Sequence, residues 1–471
     1  MNQAQRPSQP VLRMVKNEPQ PADTLYTARE KIHPREIKGK FQNLRKLAAW
    51  VILGGFYGLA WIPWGNRQIL LFDLPARRFH ILWMTFYPQD FIYLALLLVM
   101  AAVSLLFFTA LGGRLWCGYT CPQTLWTELF LWVERITEGD RAKRIKLDKS
   151  PWNRDKILRK GTKQLLWVSL ALWTGFTFVG YFTPIRTLGN ELLHMNLGSW
   201  ETFWILFYGF ATYGNAGFLR EQVCLYMCPY ARFQGAMFDR DTLIITYDQA
   251  RGEPRGGRPR SVDPRSKGLG DCIDCTLCVQ VCPTGIDIRD GLQYACIACG
   301  SCVDACNSVM DKMGYPRGLV RYTTENALEG KPTHILRPRV ILYAMILLVM
   351  GSTVAYSILT RPPLALDILH DRNALYRVLD DGRIENSYTL KISNRSEHPQ
   401  RYRVSAAGIA DIHAETDPAI ISVAPQAIAT VPARVDAPAD ELHGGSNITL
   451  TLQELNGDAH VVEVTRFLAP R

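Results

Sequence analysis

Residues 272–306 have the sequence CIDCTLCVQVCPTGIDIRDGLQYACIACGSCVDAC and contain eight of the twelve cysteines in a chain of 471 residues. The stretch repeats the spacing C-x2-C-x2-C-x3-C, which binds paired [4Fe-4S] clusters in bacterial iron–sulfur proteins. In such a pair, three cysteines of each run bind one cluster and the fourth binds the other. The pattern therefore predicts two ligand sets, Cys272, Cys275, Cys278 and Cys306 for one cluster and Cys282, Cys296, Cys299 and Cys302 for the second. A structural zinc site is the alternative, but zinc ligands do not normally follow this double spacing.

The other four cysteines form two copies of a shorter motif, C-x3-C-P, with Cys117 and Cys121 in one copy and Cys224 and Cys228 in the other. Residues four apart on a helix share one face, and a following proline favours a helix end. If the two helix ends meet, we expect one four-thiolate site. Thiolates select soft metals, namely Cu(I), zinc or iron–sulfur clusters, and Met227 could add a thioether. Four small buried hydrophobic side chains are the alternative, since free cysteines also pack in that way.

Five apolar stretches have about the length that a membrane span requires. They are Leu47–Trp64, Phe91–Leu111, Leu165–Pro184, Trp200–Gly217 and Val340–Leu359. Lys and Arg are concentrated in residues 112–164, which contain twelve, against three in residues 65–90 and one in residues 185–199. This positive-inside bias predicts a cytoplasmic N-terminus and an external tail. It also accounts for the net charge of +10 without a nucleic-acid partner.

The tail has the alternation that is typical of antiparallel strands. Tyr388, Leu390 and Ile392 alternate with polar residues, and Asp381-Gly382 and Asn456-Gly457 are typical hairpin turns. About seven short strands in a segment of this length indicate an immunoglobulin-like sandwich. The histidines of the tail match no metal-ligand spacing, so we interpret them as surface residues.

The chain is therefore predicted to be a multi-domain membrane protein with three parts. These are an α-helical membrane domain of five spans, a ferredoxin-like two-cluster α+β module and a C-terminal all-β immunoglobulin-like sandwich. All four cysteine motifs would lie on the cytoplasmic side, where disulfides are disfavoured. The predicted boundaries are a disordered cytoplasmic arm (1–45), a membrane domain with four spans and both C-x3-C-P motifs (46–238), a basic linker (239–267), the two-cluster module (268–318), a connector with the fifth span (319–360) and a periplasmic sandwich (361–471).

Taken together, these features resemble the CcoG family of cytochrome c oxidase accessory proteins, also called FixG or RdxA. The resemblance covers nearly the whole chain and includes the spans, both C-x3-C-P motifs, the double cysteine run and the external sandwich. It implies a bacterial inner-membrane protein with two [4Fe-4S] clusters and cupric reductase activity, which serves the assembly of a haem–copper oxidase. Copper would be the substrate or a bound ion, and copper chaperones or oxidase assembly factors would be partners. The copper ligands and catalytic residues implied are Cys117, Cys121, Cys224 and Cys228.

Three functions are open on the sequence. The first is a membrane Cu(II) reductase, in which the two clusters supply single electrons. The second is a quinol-linked electron carrier that feeds another acceptor. It requires a quinone site, and the sequence offers no compelling one, since His80 and His194 lie on the external side only as single residues. The third is a non-catalytic assembly scaffold or copper chaperone, in which the clusters are structural and the sandwich binds partners. The cytoplasmic electron donor is not indicated, because no nucleotide-binding motif occurs in a strand–helix context.

Overall fold

The structure, a computed structural model, describes residues 31–470 apart from 66, 372–374, 397 and 440–443. The chain divides into two compact units, Met1–Ser352 and Thr353–Arg471. The first part of unit 1 is mainly helical and contains α1 (Lys40–Gly58), α2 (Phe91–Gly112), α3 (Leu115–Tyr119), α4 (Pro122–Glu138), α5 (Arg141–Lys149), α6 (Arg154–Val179), α7 (Ile185–Leu193), α8 (Ser199–Thr212) and α9 (Pro229–Met237). Short strands between α1 and α2 form a two-stranded and a three-stranded antiparallel sheet, with β1 (Pro63–Trp64), β2 (Arg67–Gln68), β3 (Leu70–Asp73), β4 (Arg78–Ile81) and β5 (Met84–Phe86).

The starts of the helices follow from local sequence. Asn153 caps α6, because its side-chain oxygen accepts a hydrogen bond from the backbone N–H of Lys156 at 2.8 Å. α4 and α9 begin at Pro122 and Pro229, a helix position at which the missing proline N–H has no intrahelical partner to lose. After α8 the chain continues in two π-helical segments, a geometry that is frequent at functional sites. These segments are Tyr213–Leu219 and Val223–Met227.

Two of the described helices, α2 and α14 (Pro338–Leu359), are long and apolar enough to cross a membrane. Almost none of their residues are buried in the protein, so their apolar side chains face outward. Two of the five predicted spans are therefore supported by helix length and composition. Exposed apolar side chains also occur on three shorter or more polar helices, for example Trp50 on α1, Leu165 on α6 and Trp200 on α8.

The cysteine-rich region contains little regular structure. Its elements are β6 (Ile244–Tyr247), α10 (Gln249–Gly252), α11 (Leu277–Gln280), α12 (Ser301–Met313), β7 (Val320–Thr323) and α13 (Glu325–Leu328). β6 pairs antiparallel with β7, and Ile245 and Tyr247 are buried against the cluster-run residues. Strand β6 lies within the predicted basic linker (239–267) and β7 lies beyond the predicted module (268–318), so the paired strands extend the module past both predicted boundaries.

The N-terminal segment also differs from prediction where it is described. Residues 1–30 of the predicted arm lie outside the described part, but residues 31–45 contact the rest of unit 1. The backbone N–H of Arg35 donates to the carbonyl of Gln280 at 2.8 Å, and the N–H of Gln42 donates to the Asp304 carboxylate at 2.8 Å. Asp304 thus accepts from the first turn of α1, where free N–H groups and the helix dipole favour a negative charge.

A group of buried charges joins α4, α5, α6 and the end of the first π-helical segment. We call it the buried ion cluster, and its members are Glu134, Glu138, Arg144, Lys163 and Arg220, all less than a tenth exposed. Glu134 lies 3.0 Å from Arg144 Nη1 and 3.0 Å from Arg220 Nη2, and Glu138 lies 2.8 Å from Lys163 Nζ. Lys163 and Arg220 also lie over the buried indole ring of Trp167. Charges this deeply buried are stable only when they are paired.

Unit 2 is a β-sandwich, as the alternation of the tail predicts. Its strands are β8 (Leu364–His370), β9 (Arg377–Val378), β10 (Ile384–Asn394), β11 (Gln400–Ala407), β12 (His413–Thr416), β13 (Ile421–Val423), β14 (Ala427–Ala437), β15 (Gly445–Glu454) and β16 (His460–Leu468). One sheet has the order β12-β14-β10-β8 with β9 on β10, and the other has the order β13-β11-β15-β16. Tyr388, Leu390 and Ile392 point into the core between the sheets. Asn386 is buried on the same strand and bonds both the N–H and the carbonyl of Leu468 in the other sheet.

Candidate iron–sulfur and four-thiol sites

Each predicted ligand set of the double cysteine run lines its own cavity. One cavity is lined by Cys272, Cys275, Cys278 and Cys306, with Tyr247 and Arg289 beside them. The other is lined by Cys282, Cys296, Cys299 and Cys302. Cys278 reaches the wall of both, so the two cavities are neighbours. The structure groups the eight cysteines as the double run predicts, with the fourth cysteine of each run beside the other run. Their roles as ligands stay a prediction.

Burial and hydrogen bonding act in opposite directions on the charge of these sulfurs. Burial raises the pKa of Cys278 to about 12, although the nearby Arg289 opposes it, so the free thiol stays protonated until a metal binds. The backbone N–H of Ala298 donates to the sulfur of Cys296 at 3.5 Å. Hydrogen bonds to sulfur and nearby positive charge are the protein's means of tuning an iron–sulfur cluster. The donor set therefore fits [4Fe-4S], a group that carries single electrons when bound.

In both C-x3-C-P motifs the second cysteine lies outside the helix, as the following proline predicts. Cys121 (φ −60°, ψ 127°) and Cys228 (φ −82°, ψ 111°) are extended, and each immediately precedes a helix, α4 or α9. The first cysteines differ, since Cys117 lies in α3 and Cys224 lies in a π-helical segment. The two thiols of a motif therefore do not share one face of a continuous α-helix, because the helix ends between them.

The two C-x3-C-P motifs meet in unit 1. We call four thiols the C-x3-C-P tetrad: those of Cys117, Cys121, Cys224 and Cys228. They lie close enough that, in all six pairs, the charge of one thiol raises the pKa of the other. Burial, with a smaller contribution from the neighbouring thiols, raises the pKa of Cys117 to about 11 and that of Cys224 to about 12. The expectation that the two motifs come together agrees with this arrangement; what the tetrad binds stays a prediction.

The described residues form no preformed single-ion site. Within the described part of the chain, no three His, Cys, Asp or Glu side chains converge closely enough to bind one metal ion. This holds equally for the tetrad and for the two cavities of the double run. Cysteines that bind a cluster need a wider spacing, because each sulfur binds a different iron atom.

The first C-x3-C-P motif packs directly on the loop that carries Cys296 and Cys299. A Cβ atom placed on Gly118 would lie 2.8 Å from the carbonyl oxygen of Ile297 and 3.0 Å from the Cα of Cys299, so the contact requires glycine. The Tyr119 hydroxyl donates to the carbonyl of Cys299 at 3.4 Å. The motif and the ligand loop of the second cavity are thus in van der Waals and hydrogen-bond contact.

The second C-x3-C-P motif approaches the same region from another side. A cavity in unit 1 has Cys224 on one wall and Pro283, Thr284 and Ile297 on another. Pro283 and Thr284 follow Cys282 directly, so this wall belongs to the second cluster site. The tetrad therefore adjoins that site through both of its motifs.

Sequence reasoning missed Arg114, which it counted only as part of the positive-inside bias. The side chain is buried, donates to the carbonyls of Ala231 at 2.6 Å and Cys296 at 3.4 Å, and stacks on Tyr294. Its charge lowers the pKa of Cys117 on one side and of Cys296 on the other, against the larger effect of burial. The available signal was its position three residues before Cys117.

The histidines considered for a quinone site are bonded within their own segments. His80 is buried and its Nδ1 lies 2.8 Å from the Thr85 hydroxyl, while His194 Nδ1 lies 2.8 Å from the carbonyl of Asn190. In the tail, His370 contacts Asn386 and His413 contacts Asp411. These contacts account for the histidines structurally and add no ligand to any cysteine site.

Three family models match the chain. Residues 219–325 match a 4Fe-4S dicluster domain, residues 94–138 match a 4Fe-4S binding domain, and residues 354–470 match the "IG-like fold at C-terminal of FixG". The dicluster match includes both cavities and Cys224 with Cys228, and the second match includes Cys117 and Cys121. The fold and the sites thus define a membrane-associated iron–sulfur protein of electron transfer that carries an immunoglobulin-like C-terminal domain.

Curated relatives identify the family. The chain is 41% identical over 403 residues to protein RdxB of Cereibacter sphaeroides, which covers 83% of this chain and 84% of the relative. It is 39% identical over 409 residues to the nitrogen fixation protein FixG of Rhizobium meliloti, which covers 79% and 78%. The chain belongs to the FixG/RdxA/RdxB family, which confirms the resemblance stated from the sequence.

Two more distant similarities cover parts of the chain. The ferredoxin-type protein NapH of Haemophilus influenzae is 24% identical over 255 residues, covering 50% of this chain and 78% of the relative. A crystal structure of a FixG-related protein from Vibrio parahaemolyticus is 28% identical and covers 22% of this chain and 95% of the other, with a TM-score of 0.21.

Proposed function

We propose that this protein transfers single electrons from its two [4Fe-4S] clusters to Cu(II) at the C-x3-C-P tetrad, and that the Cu(I) formed serves the assembly of a haem–copper cytochrome c oxidase. The observation that carries the proposal is the packing of the first C-x3-C-P motif on the ligand loop of the second cavity, through Gly118 and Tyr119. This direct contact between the proposed electron-donor site and the tetrad favours electron transfer from one to the other.

The protein's residues have separate tasks in this reaction. The double run binds the clusters, and Arg114 holds positive charge beside both the tetrad and the second cluster site. In the copper site that the sequence suggests, the four thiolates of the tetrad bind the copper ion. Soft thiolates stabilise Cu(I) over Cu(II) and so favour the uptake of one electron by bound copper. Each Cu(II) reduced takes one electron and leaves one cluster oxidised by one electron.

We further propose the five-span topology, with the clusters on the cytoplasmic side and the sandwich in the periplasm of a bacterial inner membrane. Support comes from the exposed apolar side chains of α1, α6 and α8, which would be unfavourable in water and are favourable in lipid. Under this topology a cytoplasmic reductant would supply the electrons. The sandwich would be free to contact copper chaperones or oxidase assembly factors.

The test is anaerobic mixing of the dithionite-reduced full-length protein with Cu(II) and a Cu(I)-specific chelator. Cluster oxidation is followed by visible absorbance and EPR while the chelator reports Cu(I). The variant Cys117→Ala/Cys224→Ala removes one thiol from each motif, and Gly235→Ala is the control because a Cβ at that position meets open space. We expect equal amounts of Cu(I) and oxidised cluster in the wild type and the control, and loss of both in the double variant.

Other outcomes identify the competing functions. Cluster oxidation by a quinone but not by Cu(II), unchanged in the double variant, would replace the proposal with the quinol-linked carrier. Stable clusters that neither Cu(II) nor a quinone oxidises, together with copper binding, would replace it with the scaffold or copper chaperone.

A further inference from the structure

Solvent reaches the two cavities of the double run to different extents. In the first cavity, which is lined by Cys272, Cys275, Cys278 and Cys306, the thiol of Cys275 is exposed. All four thiols of the second cavity are buried or half-buried. The tetrad is in contact with the ligand loop of the second cavity. The first cavity is therefore the site that a partner in solution can approach, and the tetrad lies beyond the second.

A basic segment of the chain is held beside the loop that carries Cys275. The backbone N–H of Gly256 donates to the carbonyl of Cys272 at 3.2 Å, and the side chain of Arg258 donates to the same carbonyl at 3.4 Å. The Arg258 side chain also donates to the Tyr315 hydroxyl at 3.1 Å and lies over the Tyr315 ring. These contacts fix the segment next to the first cavity.

Three exposed cations lie on or beside this segment, and we call them the basic surface: Arg260, Lys267 and Lys312. Lys312 is in the last turn of α12, and a Cβ atom placed on Gly314 would lie 3.8 Å from Nη2 of Arg260. Arg260 and the end of α12 are thus neighbours. Lys267 comes two residues before Leu269, whose side chain packs on Gly256.

The positive charge of the basic surface is not balanced by nearby carboxylates. Among the residues that the structure describes, no carboxylate lies within ion-pair distance of Arg260, Lys267 or Lys312. Carboxylates close to them in the sequence are paired with other arginines, namely Asp271 with Arg251, Asp274 with Arg289 and Asp311 with Arg317. Residues 251–276 contain six Lys and Arg against four Asp and Glu, with Asp263 among the four. An excess of positive charge therefore faces solvent beside the exposed thiol.

We propose that electrons enter this protein at the first cluster site, from a soluble one-electron carrier protein whose acidic face docks on the basic surface. One electron passes from the carrier, which is oxidised, to the site of Cys272, Cys275, Cys278 and Cys306, which is reduced, and no bond is made or broken. The direction of this step rests on the proposed function, in which electrons flow towards the tetrad. Opposite charges on two partners raise their association rate by about 10–10³.

The experiment uses an acidic plant-type [2Fe-2S] ferredoxin as the probe and the full-length, reconstituted protein in nonionic detergent, without copper. Isothermal titration calorimetry measures the affinity for the oxidised ferredoxin, and stopped-flow absorbance measures the rate at which the reduced ferredoxin reduces the protein. In Arg260→Glu/Lys267→Glu we expect both the affinity and the second-order rate constant to fall about tenfold at low salt. The difference should vanish at about 1 M salt, where the Debye length is about 3 Å.

The matched control is Arg401→Glu/Arg403→Glu, which changes the net charge by the same amount at exposed positions of the sandwich and should behave as the wild type. Titration with dithionite should find the same amount of reducible cluster in every variant. If the charge reversal loses clusters, Arg260→Gln/Lys267→Gln removes only the positive charges, and its affinity should fall about threefold.

The outcomes separate this inference from the proposed function. No binding of the ferredoxin by the wild type, or equal affinities and rates in the wild type and the variants at low salt, would overturn the docking surface. Weaker binding of the variants to phosphatidylglycerol vesicles, with no change towards ferredoxin, would overturn it in favour of a membrane-facing surface. Because this experiment contains no copper, a failure of the dithionite-reduced protein to reduce Cu(II) would overturn the proposed acceptor and leave the docking result unchanged.

Discussion

Replacing Glu134 by Gln removes one of the two carboxylates in the buried ion cluster. Glu134 is completely buried between Arg144 and Arg220, each 3.0 Å away, and Lys163 lies 3.7 Å away. The Gln side chain keeps the shape but leaves these cations close together with less negative charge to balance them. We therefore expect Glu134→Gln to destabilise unit 1.

The magnitude follows from the pKa of the carboxyl group. Burial raises the pKa of Glu134, but the attraction of Arg220, Lys163 and Arg144 outweighs it and lowers the pKa from 4.5 to about 2. The difference between these two pKa values corresponds to about 3 kcal/mol of stability at neutral pH. Removing one partner of a buried ion pair typically costs about 3–5 kcal/mol, in agreement with this value. For a unit of about 350 residues we expect Tm to fall by roughly 4 °C.

The pH dependence gives a second check. Because the pKa is lower in the folded state, the contribution of Glu134 is fully present above pH 4.5 and is lost only as the pH falls towards 2. The difference in Tm between Glu134→Gln and the wild type should therefore stay constant from pH 8 to pH 5. A difference that shrinks over that range would mean that the carboxyl group is protonated near neutral pH.

The assay is thermal denaturation of the full-length protein in detergent, followed by tryptophan fluorescence. Glu36→Gln is the matched control, since Glu36 is exposed and its ion pair with Lys46 is 3.8 Å long; it should change Tm by less than about 2 °C. A Tm of Glu134→Gln within 2 °C of the wild type would refute the reasoning.

Three further predictions concern other parts of the molecule. Gly118→Ala should slow electron transfer from the clusters to copper but leave both double-run clusters in place, because the added Cβ would push on backbone atoms 2.8–3.0 Å away. Stopped-flow absorbance measures the rate. Gly235→Ala is the control, since the Cβ added there meets open space. Asn386→Ala should destabilise the sandwich by about 1–3 kcal/mol, since it leaves the backbone N–H and carbonyl of Leu468 without their hydrogen-bond partner. Calorimetry compares this variant with Asn447→Ala, a change at an exposed position. Equal Tm values for the two variants would contradict the prediction. Burial and the charges of Lys31 and Arg144 lower the pKa of His33 to about 4, although Asp148 and Glu134 oppose this. The folded protein should therefore lose stability as the pH falls from 6.5 to 4, by about 1 kcal/mol at pH 5.5. In Tm measurements His33→Asn should reduce this loss, and an unchanged pH profile in the variant would contradict the prediction.

The sequence identified the parts of the site whose determinants are local. Cysteine spacing within residues 272–306 was sufficient to predict the grouping of the eight thiols, because the repeated run has the ligand pattern of paired clusters. The alternation of Tyr388, Leu390 and Ile392 likewise predicted their burial, since a strand places every second residue on one face. The hairpin turn at Asn456-Gly457 lies between β15 and β16 as predicted.

What the sequence left out depends on contacts between distant segments. Strand β6 lies in a stretch next to many Gly, Pro and Arg residues, and its partner β7 is more than seventy residues away, so no local pattern predicts the pair. The sequence did not predict that Arg144 and Lys163 form buried ion pairs, because both residues were already explained by the positive-inside bias. Arg114 lies beside both Cys117 and Cys296, which are nearly 180 residues apart in the sequence, so its position too depends on distant segments.

The pairing of β6 with β7 has a consequence for how such a protein can be built and altered. Tyr247 is opposite Val320, so the chain enters the two-cluster module and leaves it at neighbouring points. Everything between these residues is in effect a cassette inserted at a single position. Such a cassette can be exchanged for another paired-cluster segment of different reduction potential where that segment keeps the contacts that Ile297, Cys299 and Asp304 make with the rest of unit 1. The driving force of electron transfer could thus be varied in one family of proteins while the tetrad stays the same.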